Sequence, residues 1–168
     1  MLADLTTLYH VGLGRATALR FADAGARVVC ADLKDSSNIE KEIRSKHGDK
    51  SAVFIACNVT DETAIAELVK GVVAWGGRLD IMCNYAGVGV EARWGLSLRA
   101  HETPTEAFDE AMSINTRGVW LSCKYALQQM LAQEPREPNA RGERTRGWIL
   151  NAASMVLLLR FSYVLDLR

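Results

Sequence analysis

The sequence predicts an α/β fold of the doubly wound kind, and three observations carry that reading. Short apolar runs recur at RVVCAD (27–32), AVFIAC (52–57), LDIMCN (79–84) and GWILNA (147–152). Helical patterns lie between them, at about 14–24, 36–47, 62–75 and 105–132. The runs are nearly continuous in apolar residues rather than alternating, which marks a parallel sheet covered by helices on both faces.

The elements follow in order. Gly12 and Gly14 open a helix with one apolar face, Gly25 turns the chain, and a β-branched run over 27–31 ends on Asp32. This order of turn, helix, strand and acid is one a protein uses to hold a dinucleotide. A helix N-terminus offers N–H groups and a positive dipole end to a pyrophosphate. Glycines let the backbone approach closely, and a carboxylate at the tip of the second strand can accept a ribose 2′-hydroxyl. Asp32 falls 18 positions after Gly14, near the spacing of roughly 20 that such a unit expects. The third helix is announced by Thr60 or Asp61 as cap and Glu62 in the first turn. Its stripe is Ile65, Ala66, Leu68, Val69, Val72 and Val73. The charged, proline-punctuated stretch 134–147 reads as a solvated loop.

Composition bounds the partners. A chain of 168 residues suggests one domain. Its 20 basic and 20 acidic residues cancel with no basic stripe, which argues against nucleic acid and anionic membrane. No run of 18 apolar residues is present, so no transmembrane helix is expected. The start, MLADLTTLYH, lacks the basic and apolar regions of a signal peptide. Cys30, Cys57, Cys83 and Cys123 are widely spaced in apolar segments, with no metal-ligand pattern. They read as buried free thiols of a reducing, cytoplasmic setting. His10, His47 and His101 read as surface residues; Trp75, Trp94, Trp120 and Trp148 read as packing or substrate-loop residues.

From Thr7 to about Ser154 the chain resembles the short-chain dehydrogenases/reductases. TLYHVGLG supplies Thr7, Gly12 and Gly14 of the family's Thr-Gly-x-x-x-Gly-x-Gly. NVTDE (58–62) is similar to its Asp-Val pair, with Asn58 in place of the acid before Val59. NYAG (84–87) is similar to its Asn-Asn-Ala-Gly, with Tyr85 in second place. FDEAMSINTRGVW (108–120) carries the helix asparagine at Asn115, and GWILNAAS ends on Ser154 at the place of the catalytic serine. The resemblance implies a Rossmann-type sheet in the order 3-2-1-4-5-6, and hydride transfer between NAD(P) and a small carbonyl or alcohol substrate. It implies a cofactor site at Gly12, Leu13, Gly14, Asp32, Asn58, Val59, Asn84, Ala86 and Gly87. Ser154 and Asn115 take catalytic positions, the latter holding a water of the proton relay. Asp32 favours NAD over NADP, since a 2′-phosphate would meet a like charge; Lys34 nearby softens that preference. A homo-oligomer contact falls on the helix at 105–132.

The sequence also departs from the family. The Tyr-x-x-x-Lys expected a dozen or so residues after the serine is not found: Tyr163 comes too soon and is followed four positions later by Leu167. At the other end, the first strand, over 2–6, would be central and yet contains Asp4, and Leu8 stands where the motif has its first glycine. The expectation is a single, partial NAD(P)-binding domain over 1–168, truncated or mis-assembled at both ends, with the last strands of the sheet missing and GWILNA left at its edge. Two readings result: an oxidoreductase inactive as written, or a non-catalytic nucleotide-binding remnant that pairs with a complete relative through the long helix.

Overall fold

A computed structural model of the chain describes residues 4–8, 12–89, 100–138 and 140–153, the first of these by backbone alone. Five parallel strands lie in the order β3-β2-β1-β4-β5. They are β1 (Asp4–Leu8), β2 (Arg27–Asp32), β3 (Ala52–Ala56), β4 (Ile81–Asn84) and β5 (Trp148–Asn151). The expected order therefore holds for these five, with β1 at the centre.

β2 shows why an unbroken apolar run suits this position. Val28 and Cys30 point to one face and Val29 and Ala31 to the other, and all four are buried. Fully burying a side chain such as Val28 or Val29 contributes about 1.5–3 kcal/mol, an upper estimate for a chain whose unfolded state is itself partly collapsed. On the first face pack α1 (Leu13–Asp23) and α2 (Ser37–His47), through Ala18, Ala22, Ile39 and Ile43. On the second pack α3 (Glu62–Gly76) and α5 (Val119–Ala132), through Ile65, Leu68, Val72, Leu121 and Ala126.

α3 starts and stops where its sequence says. Asp61 is the cap: its Oδ1 accepts the N–H groups of Thr63 (2.8 Å) and Ala64 (3.3 Å). Gly77 ends the helix at φ 87°, a left-handed conformation that glycine adopts without penalty. Asp61→Ala is expected to cost about 1 kcal/mol, and Asp61→Ser to restore most of it. In a thermal melt the first should lower Tm by roughly 2–4 °C; an unchanged midpoint would show that the cap is dispensable.

Several expectations need correction. The first strand occupies Asp4–Leu8 rather than 2–6. Leu8 is still paired, opposite Ala31 and Asn84, so the turn begins after the position where the motif has its first glycine. The strand predicted over 79–84 begins at Ile81, because the Gln133 side chain takes the backbone of Leu79, accepting its N–H and donating to its carbonyl. The long helix is not uniform. α4 (Thr105–Met112) passes through a π-helical turn (Ser113–Gly118) into α5. The stretch 134–147 is not simply solvated, since Arg136 folds back onto Asp80, a carboxylate only 1% exposed. Arg136 also donates its backbone N–H to Thr145 O at 2.8 Å, closing the loop on itself. Of the cysteines, Cys123 is only half-buried. Burial pushes the Cys30 thiol up to about 12, with Glu40 adding to the rise, and holds Cys57 and Cys83 at about 11, so these three are unreactive near neutrality.

β5 is the outer strand among those described. Ile149 packs inward, whereas Trp148 (50% exposed) and Leu150 (44% exposed) point to a face that no described helix covers.

Candidate functional site at the carboxyl edge of the sheet

In parallel strands the loops that follow the carboxyl ends share one edge, and the point where the chain switches direction along the sheet leaves a crevice there. Here that point lies between β1 and β4. α1 begins at this edge with Gly12 at φ 77°, ψ −130°, a backbone conformation that side-chain-bearing residues rarely adopt. Among the described residues, a Cβ at Gly12 would meet nothing within 4 Å. The helix has no side-chain cap and no acid in its first turn. Its N–H groups and dipole are therefore aimed at this edge without a resident anion from the helix itself. Leu13, 70% exposed, stands beside the turn, and Gly14 is buried.

Asp32 closes β2 at the same edge. Its Oδ1 accepts the Lys34 N–H at 2.9 Å, while Oδ2 is out of contact with solvent and has no hydrogen-bond partner. A buried acceptor left unpaired is costly, so a hydroxyl donor at this oxygen would be stabilising. The backbone carbonyl of Asp32 accepts from Cys57 N–H at 2.9 Å, which fixes the strand end against the loop after β3.

In that loop Asn58 is exposed, and its Oδ1 accepts from the Thr60 N–H (3.1 Å) and hydroxyl (2.9 Å). It shapes the turn into α3, and Val59 packs against the core beside it. At the end of β4, Asn84 is 2% exposed; its amide donates to Asn151 Oδ1 at 2.8 Å, with the Cys123 sulfur 3.8 Å away. Its own Oδ1 has no partner. Tyr85, in the motif's second place, meets Thr17 of α1 through its hydroxyl at 3.1 Å. Ala86 packs on the core, and Gly87 lies so near Asn115 that a Cβ would come within 3.3 Å of Asn115 Oδ1.

Asn115 sits in the π-helical turn, and both ends of its amide are used. Oδ1 accepts the Val88 N–H at 2.8 Å, and Nδ2 donates to the Val88 carbonyl at 2.9 Å. The side chain clamps the segment after β4. Single wide turns of this kind recur at functional sites. Ser154, the expected catalytic serine, lies outside the described residues, as do His10 and Trp94. Asn151 ends the strand that leads toward it.

Thus one edge brings together Gly12, Leu13, Gly14, Asp32, Asn58, Val59, Asn84, Ala86, Gly87 and Asn115. Sequence reading missed Thr17, Asn151, Arg117 and Gly118. Arg117 donates to Thr60 O at 2.7 Å, and a Cβ at Gly118 would come within 3.0 Å of Val59 Cγ2. The sequence signal for Arg117 and Gly118 is adjacency to Asn115, that for Asn151 is nearness to Ser154, and that for Thr17 is its place one turn after Gly14.

A five-stranded parallel sheet in this order, wound by helices on both faces, defines a protein of the Rossmann class. Comparison with known proteins narrows this. The family model described as Enoyl-(Acyl carrier protein) reductase matches residues 9–140. Tropinone reductase-like 2 of Erythroxylum coca is 38% identical over 122 residues, covering 73% of this chain and 42% of that protein. The 2-(R)-hydroxypropyl-CoM dehydrogenase of Xanthobacter autotrophicus is 31% identical over 153 residues, covering 89% of this chain and 55% of its own length. The solved structure of ElxO with NADP bound superposes with a TM-score of 0.73 at 26% identity, over 94% of this chain and 58% of that one. The chain belongs to the short-chain dehydrogenase/reductase family, whose members are NAD(P)-binding oxidoreductases. It spans about half the length of the curated relatives it matches. No helix among the described residues is long and apolar enough to cross a membrane.

Proposed function

We propose that this chain forms the dinucleotide-holding part of an oxidoreductase that moves hydride between a nicotinamide and a small carbonyl or alcohol substrate. One observation carries the reading: the uncapped N-terminus of α1 and the unpaired Oδ2 of Asp32 share the carboxyl edge of the sheet. The residues fit the absent group. Gly12, Leu13 and Gly14 would meet the pyrophosphate through backbone N–H groups. Asp32 would accept from the adenine-side ribose, Asn58 and Val59 would flank the adenine, and Asn84, Ala86 and Gly87 would line the path toward the nicotinamide. The bound cofactor supplies or takes up the hydride; the chain binds and orients it. Asn115 acts as a positioning residue through Val88, and Ser154 is assigned the substrate oxygen. The setting is assigned to the cytoplasm and the whole to one domain.

A second reading has an observation of its own. It is a nucleotide-binding module that acts as partner to a complete relative. Trp120, Leu127 and Leu131 form an exposed apolar stripe on α5, the surface that either a homo-oligomer or such a pairing would use.

Asp32 also sets the choice of cofactor. NADH is expected to bind more tightly than NADPH, because a 2′-phosphate would be brought against the carboxylate. Asp32→Ala should narrow the gap by about 1–3 kcal/mol, the cost of a lost charge-assisted hydrogen bond. Calorimetric titration at fixed salt tests this. Equal affinities of the unaltered chain for the two cofactors would take Asp32 away from the ribose.

A further inference from the structure

We infer that the π-helical turn, through Arg117 and Gly118, positions the adenine wall of the dinucleotide site; this rests on the reading just proposed. The turn touches both loops that follow β3 and β4. On one side Asn115 clamps Val88 by two hydrogen bonds. On the other, Arg117 Nη1 donates to the Thr60 carbonyl at 2.7 Å and its guanidinium lies 3.8 Å from Glu62 Oε2. Gly118 brings the helix backbone against Val59. A methyl there would come within 3.0 Å of Val59 Cγ2 and 3.2 Å of the Val59 carbonyl, backbone that cannot swing aside.

The same side is tied down further along the helix. Lys124 Nζ (2.6 Å) and the Tyr125 hydroxyl (3.1 Å) both reach Glu62 Oε1 at the start of α3. Those two contacts hold the helix end. The contacts of Arg117 and Gly118 instead hold the loop itself, one on its backbone and one on Val59. An unbroken α-helix advances 100° per residue, so inserting a wide turn rotates everything after it. Here Asn115 and Arg117, two positions apart, reach different loops, and Gly118 then faces Val59. The turn therefore sets the spacing between the wall carrying Val59 and the segment carrying Gly87 and Val88. Arg117 and Gly118 touch no reacting atom; they act through Thr60 and Val59.

The test uses the full 168-residue chain, carried as a soluble fusion, with ADP-ribose and NADH as probes. Arg117→Met should weaken both by about three- to tenfold, part of the worth of one charge-assisted hydrogen bond, because Arg117 acts through Thr60. Both probes should fall by the same factor, since both carry the adenine half. The emission wavelength of bound NADH should stay where it is, because the nicotinamide end is untouched. Arg117→Lys, whose ammonium can still reach a carbonyl, should recover affinity to within about twofold. Gly118→Ala should weaken both probes by about tenfold or more. If Gly118→Ala does not fold, Arg117→Met still decides, its side chain being about half exposed. Unchanged ADP-ribose affinity in Arg117→Met overturns the inference alone. So does a shifted NADH emission with no recovery in Arg117→Lys, which marks general loosening. Failure of the unaltered chain to bind ADP-ribose overturns the dinucleotide reading, and this inference with it.

Discussion

Asp80→Ala is expected to lower stability by about 3 kcal/mol, the cost of stranding a guanidinium beside a buried site. For a chain of this size that corresponds to a fall in Tm of roughly 6–12 °C. Asp80 is nearly inaccessible and receives Arg78 Nε at 2.8 Å, Arg136 Nε at 2.8 Å, and Arg136 Nη2 on its other oxygen. Burial by itself would raise the carboxyl's pKa, but the guanidinium groups of Arg136 and Arg78 outweigh it and hold the group below the ordinary carboxylate range. The sign of the pH dependence follows. A group whose pKa is lowered on folding contributes stability that is fully present above its unfolded value, about 3.9, and is lost as pH falls through the folded value. Acid unfolding should therefore steepen below about pH 4, and that part of the profile should flatten in Asp80→Ala. The pair Asp80→Ala with Arg136→Met should cost less than the two single changes added, because the guanidinium of Arg136 is then no longer stranded by the loss of Asp80. A Tm shift under 2 °C, or full additivity, would show that the loop 134–147 is held by other contacts.

The largest effect is expected in catalysis. The 168-residue chain should show no measurable NAD(P)H-dependent turnover over a panel of ketones and secondary alcohols. A phenol with an ordinary pKa near 10 needs an adjacent cation to act near neutrality, and a general acid/base typically contributes 10²–10⁴-fold. Joining a relative's segment that carries Tyr-x-x-x-Lys, together with Leu8→Gly and an apolar first strand, should bring turnover into the measurable range by at least that factor. Ser154→Ala in the joined protein should remove most of it again. Turnover by the 168-residue chain, abolished by Ser154→Ala, would mean the proton passes through groups other than those assigned here.

Much of the architecture was legible because it depends on local regularities. The period of the stripe from Ile65 to Val73 and the acid at Asp61 specify α3 without reference to anything distant. The unbroken run 27–32 specifies a strand buried on both faces. The glycine turn at Gly12 and the acid at Asp32 are set by the covalent order of one βαβ unit. Asn115 was found through its motif, yet its partner was not. Val88 lies 27 residues away, and no periodicity reports which carbonyl an amide will meet across a fold.

The same limit separates Asp80 and Arg136. Both are ordinary charges in the sequence, one at a strand entrance and one in a polar stretch. Only the packing of the segment after α5 against the start of β4 makes them a buried ion pair. The sequence by itself determined the α/β class and the run of strands and helices, because these follow from hydrophobic period, capping chemistry and chain direction; the strand order about β1 came from the family resemblance. Tertiary structure decided the widening of the helix at Ser113–Gly118, the clamp on Val88, the contact of Gly118 with Val59 and the burial of Asp80. Each is a choice among long-range partners, made by close packing and by the requirement that buried polar groups be paired.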